Sequence, residues 1–505
     1  MKWAPLLLCL ALLTPLTLVD VPPLLDYPNH LARAVVLAFG AADPIVSRMY
    51  VAHWAIIPNL GTDLVLPPLL QVLPVHLAGR IVIGVILLLP VVGTIVYSRA
   101  VFGGFSLWPL ASGLVAYNAT VLLGFLNFVA AVGLALLLAA AWIAWRDRYP
   151  RRIVVLAPAG CIALFFCHLL GLLFFYLLIA GYELQCLWRH RRQVWAMLVR
   201  SAALLPLALV PLGLYLVSPL AALSDATEFS PLTVKLRQLI LPFANYILPL
   251  DIATACIVGA FLLICFAKGW LRVSPIGSLP LLLTTLLFLA APFSFKGTYL
   301  LDTRFVILLG FLLFGAVLPT GLPRAIACAT VTGFTLLFGV RMAIVGYAWH
   351  ENQRDIADLR AVIASVEPGS RVFVAAVTQR EAPRYWRNVP LSRQLSLGLQ
   401  LDAHLPAMLL IERRAYWPFL FDNPSQQPVA TLPPFRELAE RAGSIPDHRA
   451  LAVPGKVDLC GFDHLLLLDA GGEPDLTHFA TNRLALIAQS DVAALFRVRP
   501  DACSG

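Results

Sequence analysis

The sequence predicts a membrane protein of the all-α class, a polytopic bundle of transmembrane helices followed by a small soluble α/β domain. Of its 505 residues, 60% are hydrophobic and 13% are charged, whereas soluble domains carry about 25% charged residues. The apolar residues fall in blocks of about 20, the length that crosses a bilayer as a helix. After residue 348 the composition becomes more polar, with short apolar runs between prolines and glycines. We therefore assign residues 1–348 to the membrane and 349–505 to the soluble domain.

About eleven apolar stretches are predicted to be transmembrane helices. They lie at 4–19, 79–97, 105–119, 121–145, 152–166, 169–186, 201–219, 251–268, 275–293, 304–320 and 324–347. The first could instead be a signal peptide. However, Asp20-Val-Pro-Pro lacks the small residues of a cleavage site, so we predict an uncleaved span.

The distribution of lysine and arginine sets the predicted orientation. Two basic clusters, 146–152 and 189–200, fall on the same side of the membrane only if two spans separate them. Because cytoplasmic loops are enriched in Lys and Arg, we place the N-terminus in the cytoplasm and the C-terminal domain outside, in a periplasmic or other extracytoplasmic space. The net charge of +9 then belongs to the loops of a cell (inner) membrane protein, and no nucleic-acid partner is predicted.

The predicted outer surface consists of two long loops and the soluble domain. The loops cover 20–78 and 221–250, and the first contains two segments, 30–39 and 44–57, suited to amphipathic helices in the membrane interface. In the soluble domain we predict strands at 371–377, 407–411, 464–469 and 484–488, and helices at 350–366 and 433–442. Strands that alternate with helices indicate an α/β domain.

The most informative stretch follows the first span and runs Asp20-Val-Pro-Pro-Leu-Leu-Asp-Tyr-Pro-Asn-His-Leu-Ala-Arg. Its prolines end the helix and stiffen the turn around Asp26, while His30 and Arg33 share one face of the helix that follows. A carboxylate fixed there can accept a proton from a hydroxyl, and an arginine one turn away can bind a phosphate through two hydrogen bonds. The alternative is that Asp20 and Asp26 cap helices while Arg33 contacts lipid headgroups.

Asp63 and His168 are further candidates on the predicted outer side. Asp63 follows the turn Pro58-Asn-Leu-Gly-Thr, and it is either a second acid in the same cavity or the cap of a helix. His168 separates the fifth and sixth spans, where it is either a polar turn residue or an accessory residue of the site.

Cationic residues near the last two spans are candidates for anion binding. Lys296, Tyr299, Asp302 and Arg304 fill the short outer loop before the tenth span. Two cations beside an apolar wall suit the phosphate of a lipid carrier, whereas the alternative is an ordinary solvated hairpin. Arg341 lies inside the last span, where it binds an anion, pairs with a loop carboxylate or extends toward the outer surface.

Several chemical classes have no signature in the sequence. There is no Walker phosphate loop, no dinucleotide-binding fingerprint and no Ser/His/Asp signature, which argues against nucleotide-driven chemistry. No Cys-x-x-Cys or His/Cys cluster predicts a metal site. We assign no metal ligand, and a divalent cation, Mg²⁺ or Mn²⁺, is left open as a cofactor.

The arrangement resembles the GT-C superfamily of polytopic membrane glycosyltransferases over residues 1–348. The resemblance rests on the first span, the loop motif Asp-Tyr-Pro-Asn-His-Leu-Ala-Arg, the second motif Pro-Asn-Leu-Gly-Thr-Asp-Leu, the further spans and the outer C-terminal domain. It implies an enzyme that transfers a sugar from a polyprenyl-phosphate-linked donor to an acceptor on the outer face of the membrane. We expect inversion at the anomeric carbon.

The resemblance also implies roles for individual residues. Asp26 would be the base and Asp63 the second catalytic acid. The candidates for binding the donor phosphate are His30, Arg33, Lys296, Arg304 and Arg341, and the accessory residues are Asp20, His168, Tyr299 and Asp302. The family usually has two adjacent acids, whereas Asp20 and Asp26 are separated along the chain, which leaves open which carboxylate is the base. We expect the candidate residues to face one outer cavity.

Two other functions remain as alternatives. A transporter or flippase of a lipid-linked or anionic substrate should carry its ionisable residues near the middle of the membrane, on broken helices. A non-catalytic membrane scaffold would leave the clustering of Asp26, His30 and Arg33 unexplained. The predicted partners are the polyprenyl-phosphate sugar, membrane lipid, and a glycan, lipid or protein acceptor that the sequence does not specify.

Overall fold

The computed structural model describes residues 3–189, 191–377, 390–453, 456–472 and 483–499, and here the protein consists of a helical block and a C-terminal α/β domain. The helices of the block are α1 (Ala4–Leu13), α2 (Tyr27–Phe39), α3 (Gly61–Leu70), α4 (Val75–Phe102), α5 (Ala119–Leu122), α6 (Leu126–Trp145), α7 (Pro150–Cys167), α8 (Leu169–Arg189), α9 (Val194–Ala202), α10 (Leu205–Val217), α11 (Pro219–Ala222), α12 (Leu232–Gln238), α13 (Leu248–Ala267), α14 (Pro275–Ala290), α15 (Leu301–Gly315) and α16 (Arg324–Ile363). Its strands are β1 (Tyr50–Ala52), β2 (Leu271–Val273) and β3 (Val317–Pro319), of which β2 and β3 pair.

Within the described ranges, seven helical segments are long and apolar enough to cross a membrane. They are α4, α6, α7, α8, the segment Val194–Val217 that contains α9 and α10, α13 and α16. Two shorter apolar helical segments, Ala4–Thr17 and Pro275–Ala290, add to the block. The chain is therefore an integral membrane protein with a polytopic helical bundle, as the sequence predicts.

The predicted division between the fifth and sixth spans is confirmed at His168. α7 begins with Pro150, at a position where the missing N–H removes no helical hydrogen bond. The backbone of His168 is extended, with φ −171° and ψ 131°, so the helix cannot continue through it. The apolar block therefore forms two helices, and the polar side chain lies at their junction.

Two predicted spans have a different structure. Residues 105–119 contain a 3₁₀ helix, Trp108–Val115, in place of a spanning α-helix. The stretch 304–320 corresponds to α15, whose 15 residues measure about 22 Å at 1.5 Å per residue, short of the roughly 30 Å of bilayer hydrocarbon. Both segments are buried among other helices, and hydrophobicity alone cannot distinguish a buried segment from a spanning helix.

The block and the C-terminal domain are joined by a single helix. α16 has 40 residues, about 60 Å in length. Most side chains of its N-terminal half are exposed, as expected of a helix that faces lipid, whereas Trp349, Ile356 and Leu359 are buried in the C-terminal half. The predicted domain boundary at residue 348 falls inside this helix, and the helix predicted at 350–366 is its continuation.

The C-terminal domain is built on a four-stranded sheet in the order β4-β6-β8-β7. Its elements are β4 (Val372–Ala376), α17 (Met408–Arg413), β5 (Val429–Thr431), α18 (Phe435–Ala442), β6 (His464–Leu468), β7 (Leu484–Gln489) and β8 (Ala493–Val498). β4 and β6 are parallel and the other pairs are antiparallel, which confirms the predicted α/β class. The strand predicted at 407–411 is wrong, because these residues begin helix α17.

β5 lies outside this sheet and pairs with β1 of the first outer loop. The register joins Tyr50 to Thr431 and Ala52 to Val429 in an antiparallel pair. The amphipathic helix predicted at 44–57 is therefore wrong: the segment contains a 3₁₀ turn, Val46–Arg48, followed by β1. The backbone of β1 forms its hydrogen bonds with β5 of the C-terminal domain, and a local sequence pattern cannot show such a distant partner. The pairing connects that domain to the membrane block.

Candidate active site

Asp26 immediately precedes helix α2, and the backbone on both sides of it is fixed. Its amide N–H donates to the carbonyl of Leu123 at 3.2 Å, and its own carbonyl accepts from the amide of His30 at 3.0 Å. The neighbouring chain comes this close because residue 124 is glycine with φ +77°, where a Cβ would lie 2.6 Å from the Asp26 nitrogen. The Asp26 side chain makes no capping hydrogen bond to α2, so its carboxylate remains available to a cavity beside the helix.

Arg33 and Asp63 form a buried ion pair between α2 and α3. The Nε and Nη2 groups of Arg33 donate to the two carboxylate oxygens at 2.6 and 2.8 Å. The same Nη2 lies 3.1 Å from Nδ1 of His30. Since both oxygens of Asp63 are engaged by one guanidinium, this carboxylate holds α2 in place and is not a free acid of the cavity.

Burial shifts the pKa of both Asp63 and His30. It raises the pKa of Asp63 above its ordinary value, and Arg33 opposes that shift. Burial, followed by the charge of Arg33, lowers the pKa of His30 well below its ordinary value. His30 is therefore neutral at physiological pH, with Nδ1 accepting from Arg33 and the ring proton assigned to Nε2.

Arg304 and Lys296 bring positive charge to the lining of the same cavity. Arg304 extends from α15, with its guanidinium over Phe125 at 4.6 Å and Nη1 2.9 Å from Nε2 of His168. Its buried Nε has no protein partner among the described residues. Lys296 donates to the carbonyls of Ala221 and Leu223 at 2.8 and 2.9 Å. Within the described ranges neither cation is in ion-pair contact with a carboxylate.

A cavity of about 680 Å³ is lined by both the Asp26 carboxylate and these cations. Its walls contain seven of the residues that the sequence singles out: Asp26, His30, Arg33, His168, Lys296, Tyr299 and Arg304. This volume lies in the range of small-molecule sites. The arrangement brings a carboxylate that can take a proton and cations that can bind an anion to one cavity.

A segment of the C-terminal domain closes one side of the cavity. Residues 420–423 and 425–427 line it. Asn29 anchors this segment, since its Nδ2 donates to the carbonyl of Phe419 at 2.9 Å and its Oδ1 accepts from the amide of Phe421 at 2.8 Å. Asn29 lies in α2 and Asp26 immediately precedes it. The same helix therefore positions the Asp26 carboxylate and this segment of the cavity wall.

Four predicted site residues lie away from the cavity lining. Asp63 pairs with Arg33, as described, and Asp20 pairs with Arg360 of α16 at 3.1 Å. Asp302 is buried and accepts from Nε2 of Gln238 at 3.1 Å.

Arg341 is the fourth of these residues. Its guanidinium donates to Asp251 at 2.9 Å, to Thr254 at 3.1 Å and to the carbonyl of Phe243. Arg341 therefore joins α16 to α13 and the chain before it, and its partner Asp251 belongs to the first turn of α13 rather than to a loop.

Sequence reasoning missed His404, whose Nδ1 lies 3.0 Å from Oδ1 of Asp26. No motif marks this histidine, and 378 residues separate it from Asp26 in the chain. In the part of the chain that the structure describes, no group of three or more His, Cys, Asp or Glu side chains is arranged to hold a metal ion.

Comparison with known proteins identifies the fold. No protein-family model matches the sequence, and no curated protein matches it. The structure is similar to two crystal structures of ArnT from Cupriavidus metallidurans, one in the apo state and one bound to undecaprenyl phosphate, with TM-scores of 0.53 and 0.52 and 13% sequence identity. Each match covers 99% of this chain and 98% or 99% of the other. The chain therefore has the fold of these ArnT structures over nearly its full length.

Replacing Arg341 by Met is expected to destabilise the protein by about 3–5 kcal/mol, because it leaves Asp251 buried without its counter-charge. Thermal unfolding of the detergent-solubilised protein measures the effect. The double variant R341M/D251N is expected to recover part of the loss, since it removes both charges. An unchanged midpoint in the single variant would show that the pair does not stabilise the fold.

The titration of His30 predicts a loss of stability in mild acid. Unfolded His30 takes up a proton as the pH falls below about 6.5, whereas the folded residue, with its lowered pKa, stays neutral. Its contribution is therefore complete above that pH and declines below it, by at most about 1.4 kcal/mol per pH unit. Thermal midpoints between pH 7.5 and 5 should fall less steeply in H30N, whose amide oxygen can still accept from Arg33.

The control for this prediction is H53N, because His53 belongs to the same outer loop and is exposed. It is expected to retain the wild-type slope. Parallel curves for H30N and the wild type would contradict the assignment of a neutral His30.

Proposed function

We propose that the protein is a glycosyltransferase that transfers a sugar from a polyprenyl-phosphate-linked donor to an acceptor on the outer face of the membrane. The observation that carries the proposal is the cavity itself, which is lined by Asp26 together with Arg304 and Lys296. The fold supports it, since it is shared with ArnT, which has been crystallised with undecaprenyl phosphate. With this role, the cavity lies at the outer end of the block in the cell (inner) membrane, the N-terminus is cytoplasmic and the C-terminal domain is extracytoplasmic.

We assign the donor phosphate to Arg304 and Lys296. Arg304 has an unpartnered Nε, and neither Arg304 nor Lys296 is neutralised by a carboxylate within the described residues. Charged hydrogen bonds to phosphate are stronger than neutral ones, and they gain strength as charge accumulates on the departing phosphate. His168 and Tyr299 also line the cavity. The guanidinium of Arg33 is already hydrogen-bonded to Asp63.

Asp26 is assigned as the base. It takes the proton of the acceptor hydroxyl, the acceptor oxygen bonds to the anomeric carbon, and the bond from that carbon to the phosphate oxygen breaks. The polyprenyl phosphate leaves with the electron pair. We expect attack on the face of the sugar opposite the leaving phosphate, which inverts the configuration at the anomeric carbon. Neither a divalent cation, Mg²⁺ or Mn²⁺, nor the identity of the sugar is specified by these residues.

D26N is expected to lower sugar transfer by about 10²–10⁴-fold, because an amide cannot take the acceptor proton. Lipid and glycan profiling of a deletion strain of the source organism identifies the missing product. Membranes of that strain then supply the acceptor in vitro, with a panel of undecaprenyl-phosphate-linked hexoses and pentoses as donors. D225N, at an exposed position of the second outer loop, serves as the control. Full activity of D26N would move the base elsewhere.

R304M and K296M are each expected to weaken binding of undecaprenyl phosphate by roughly 10–100-fold, since a hydrogen bond to a charged group contributes about 1.5–3 kcal/mol. Binding to the protein in nanodiscs, followed by native mass spectrometry, gives the dissociation constant. R237M removes an exposed outer-loop arginine that does not line the cavity and should bind as the wild type. Unchanged binding in both cavity variants would place the phosphate at another site.

A further inference from the structure

His404 brings a C-terminal side chain to the carboxylate of Asp26. Nδ1 lies 3.0 Å from Oδ1, and the two side chains are only 20% and 15% exposed. The N–H direction does not point at the oxygen, so Nδ1 has no aligned hydrogen-bond partner. Hydrogen bonds of catalytic groups commonly align only when substrate is bound. The distance therefore places His404 within reach of Asp26 before substrate arrives.

Aromatic side chains orient the His404 ring. Phe421 stands nearly perpendicular to it, with ring centroids 5.0 Å apart and an interplanar angle of 88°. Trp417 makes a second edge contact, at 6.4 Å. Since Phe421 also lines the cavity, the packing that holds His404 is continuous with the cavity wall.

Ion pairs fix the segment that carries His404. Arg393 donates to both carboxylate oxygens of Asp355 in α16, at 2.7 and 2.9 Å, and to Asp469 at 3.1 Å. Asp402, two residues before His404, is hydrogen-bonded to Asp469, and burial followed by the charge of Asp469 raises its pKa well above the ordinary value. The segment that carries His404 is therefore held in place by side chains of the C-terminal half of α16 and of the C-terminal domain itself.

We propose that His404 is a positioning residue for the transfer reaction, supplied by the C-terminal domain. Its Nδ1–H binds Oδ1 of Asp26, which leaves the second oxygen to take the proton of the acceptor hydroxyl. This inference rests on the proposed function, in which Asp26 is the base. A misplacement of about 1 Å at a reacting group can cost roughly 10²-fold in rate, so the restraint acts on turnover, and donor binding does not depend on it.

The substitutions H404L, H404Q and H404N separate positioning from packing. The amide nitrogen of Asn occupies the place of Nδ1, whereas that of Gln occupies the place of Nε2. H404L and H404Q are expected to lower kcat by about 10–100-fold, and H404N should recover most of the loss. The KM for the donor and the dissociation constant of undecaprenyl phosphate should stay unchanged in all three. A purely structural role would instead favour the larger side chains.

The chain offers a matched control in His448, a buried histidine whose Nδ1 lies 3.2 Å from Oδ1 of the neighbouring Asp447 in the same domain. H448L should transfer sugar at the wild-type rate. If D26N is inactive while H404L is as active as the wild type, the positioning role is wrong and the proposed function stands. If D26N is active, the proposed function itself fails. The double variant D26N/H404L is expected to be no slower than D26N, and an additive loss would show that His404 acts independently of Asp26.

Discussion

The buried ion pair between Arg33 and Asp63 is the constraint on which the site depends. It joins α2 to α3 through two hydrogen bonds of 2.6 and 2.8 Å, and both side chains are almost fully buried. Removing one partner of such a pair costs about 3–5 kcal/mol, because the other charge is left in a medium that solvates it poorly. Asp26 immediately precedes α2, which also carries Asn29 and His30, so the pair fixes two residues of the cavity lining and the residue that anchors its wall. It also decides between two acids: the charge of Asp63 is engaged, while that of Asp26 faces the cavity.

The C-terminal domain belongs to the site, although its sequence carries no recognisable motif. Strand β5 pairs with β1 of the first outer loop, Asn29 binds the backbone on both sides of Leu420, and Arg360 links Asp20 to Glu412. These contacts place His404 beside Asp26 and bring residues 420–423 and 425–427 to the cavity wall. Since both partners of each contact must be in place, an intact cavity requires the helical block and the domain together.

Local patterns predicted what depends on neighbouring residues. The hydrophobic blocks gave the membrane class, the prolines around Asp26 gave the start of α2, and the polar His168 gave the division between α7 and α8. Where the structure depends on distant partners, the patterns failed. Residues 50–52 form a strand because β5 lies beside them, and the apolar run at 407–411 is equally compatible with strand or buried helix.

Side-chain pairing likewise explains which features of the candidate site residues could be predicted from the sequence and which could not. A sequence shows that Asp63 and Arg341 are ionisable in apolar surroundings, and hence that each needs a reason to be there. It does not show that Arg33 and Asp251 are their partners. His404 is the converse case, since an ordinary histidine of a polar domain becomes informative only when the fold brings it to Asp26.

The charges around the cavity also explain why Asp26 needs restraint. Arg304 is close enough to interact electrostatically with Asp26, and at an effective dielectric constant of 20 two unit charges 4 Å apart attract by about 4 kcal/mol. A flexible pair would close into an ion pair, which would occupy the proposed base and the proposed phosphate site together. Phe125 and His168 hold Arg304 in place. Asp26 is held by its backbone contacts and has His404 beside its carboxylate. The packing around each side chain thus keeps the two charges apart, and under the proposed function this cavity would hold the phosphate-linked sugar.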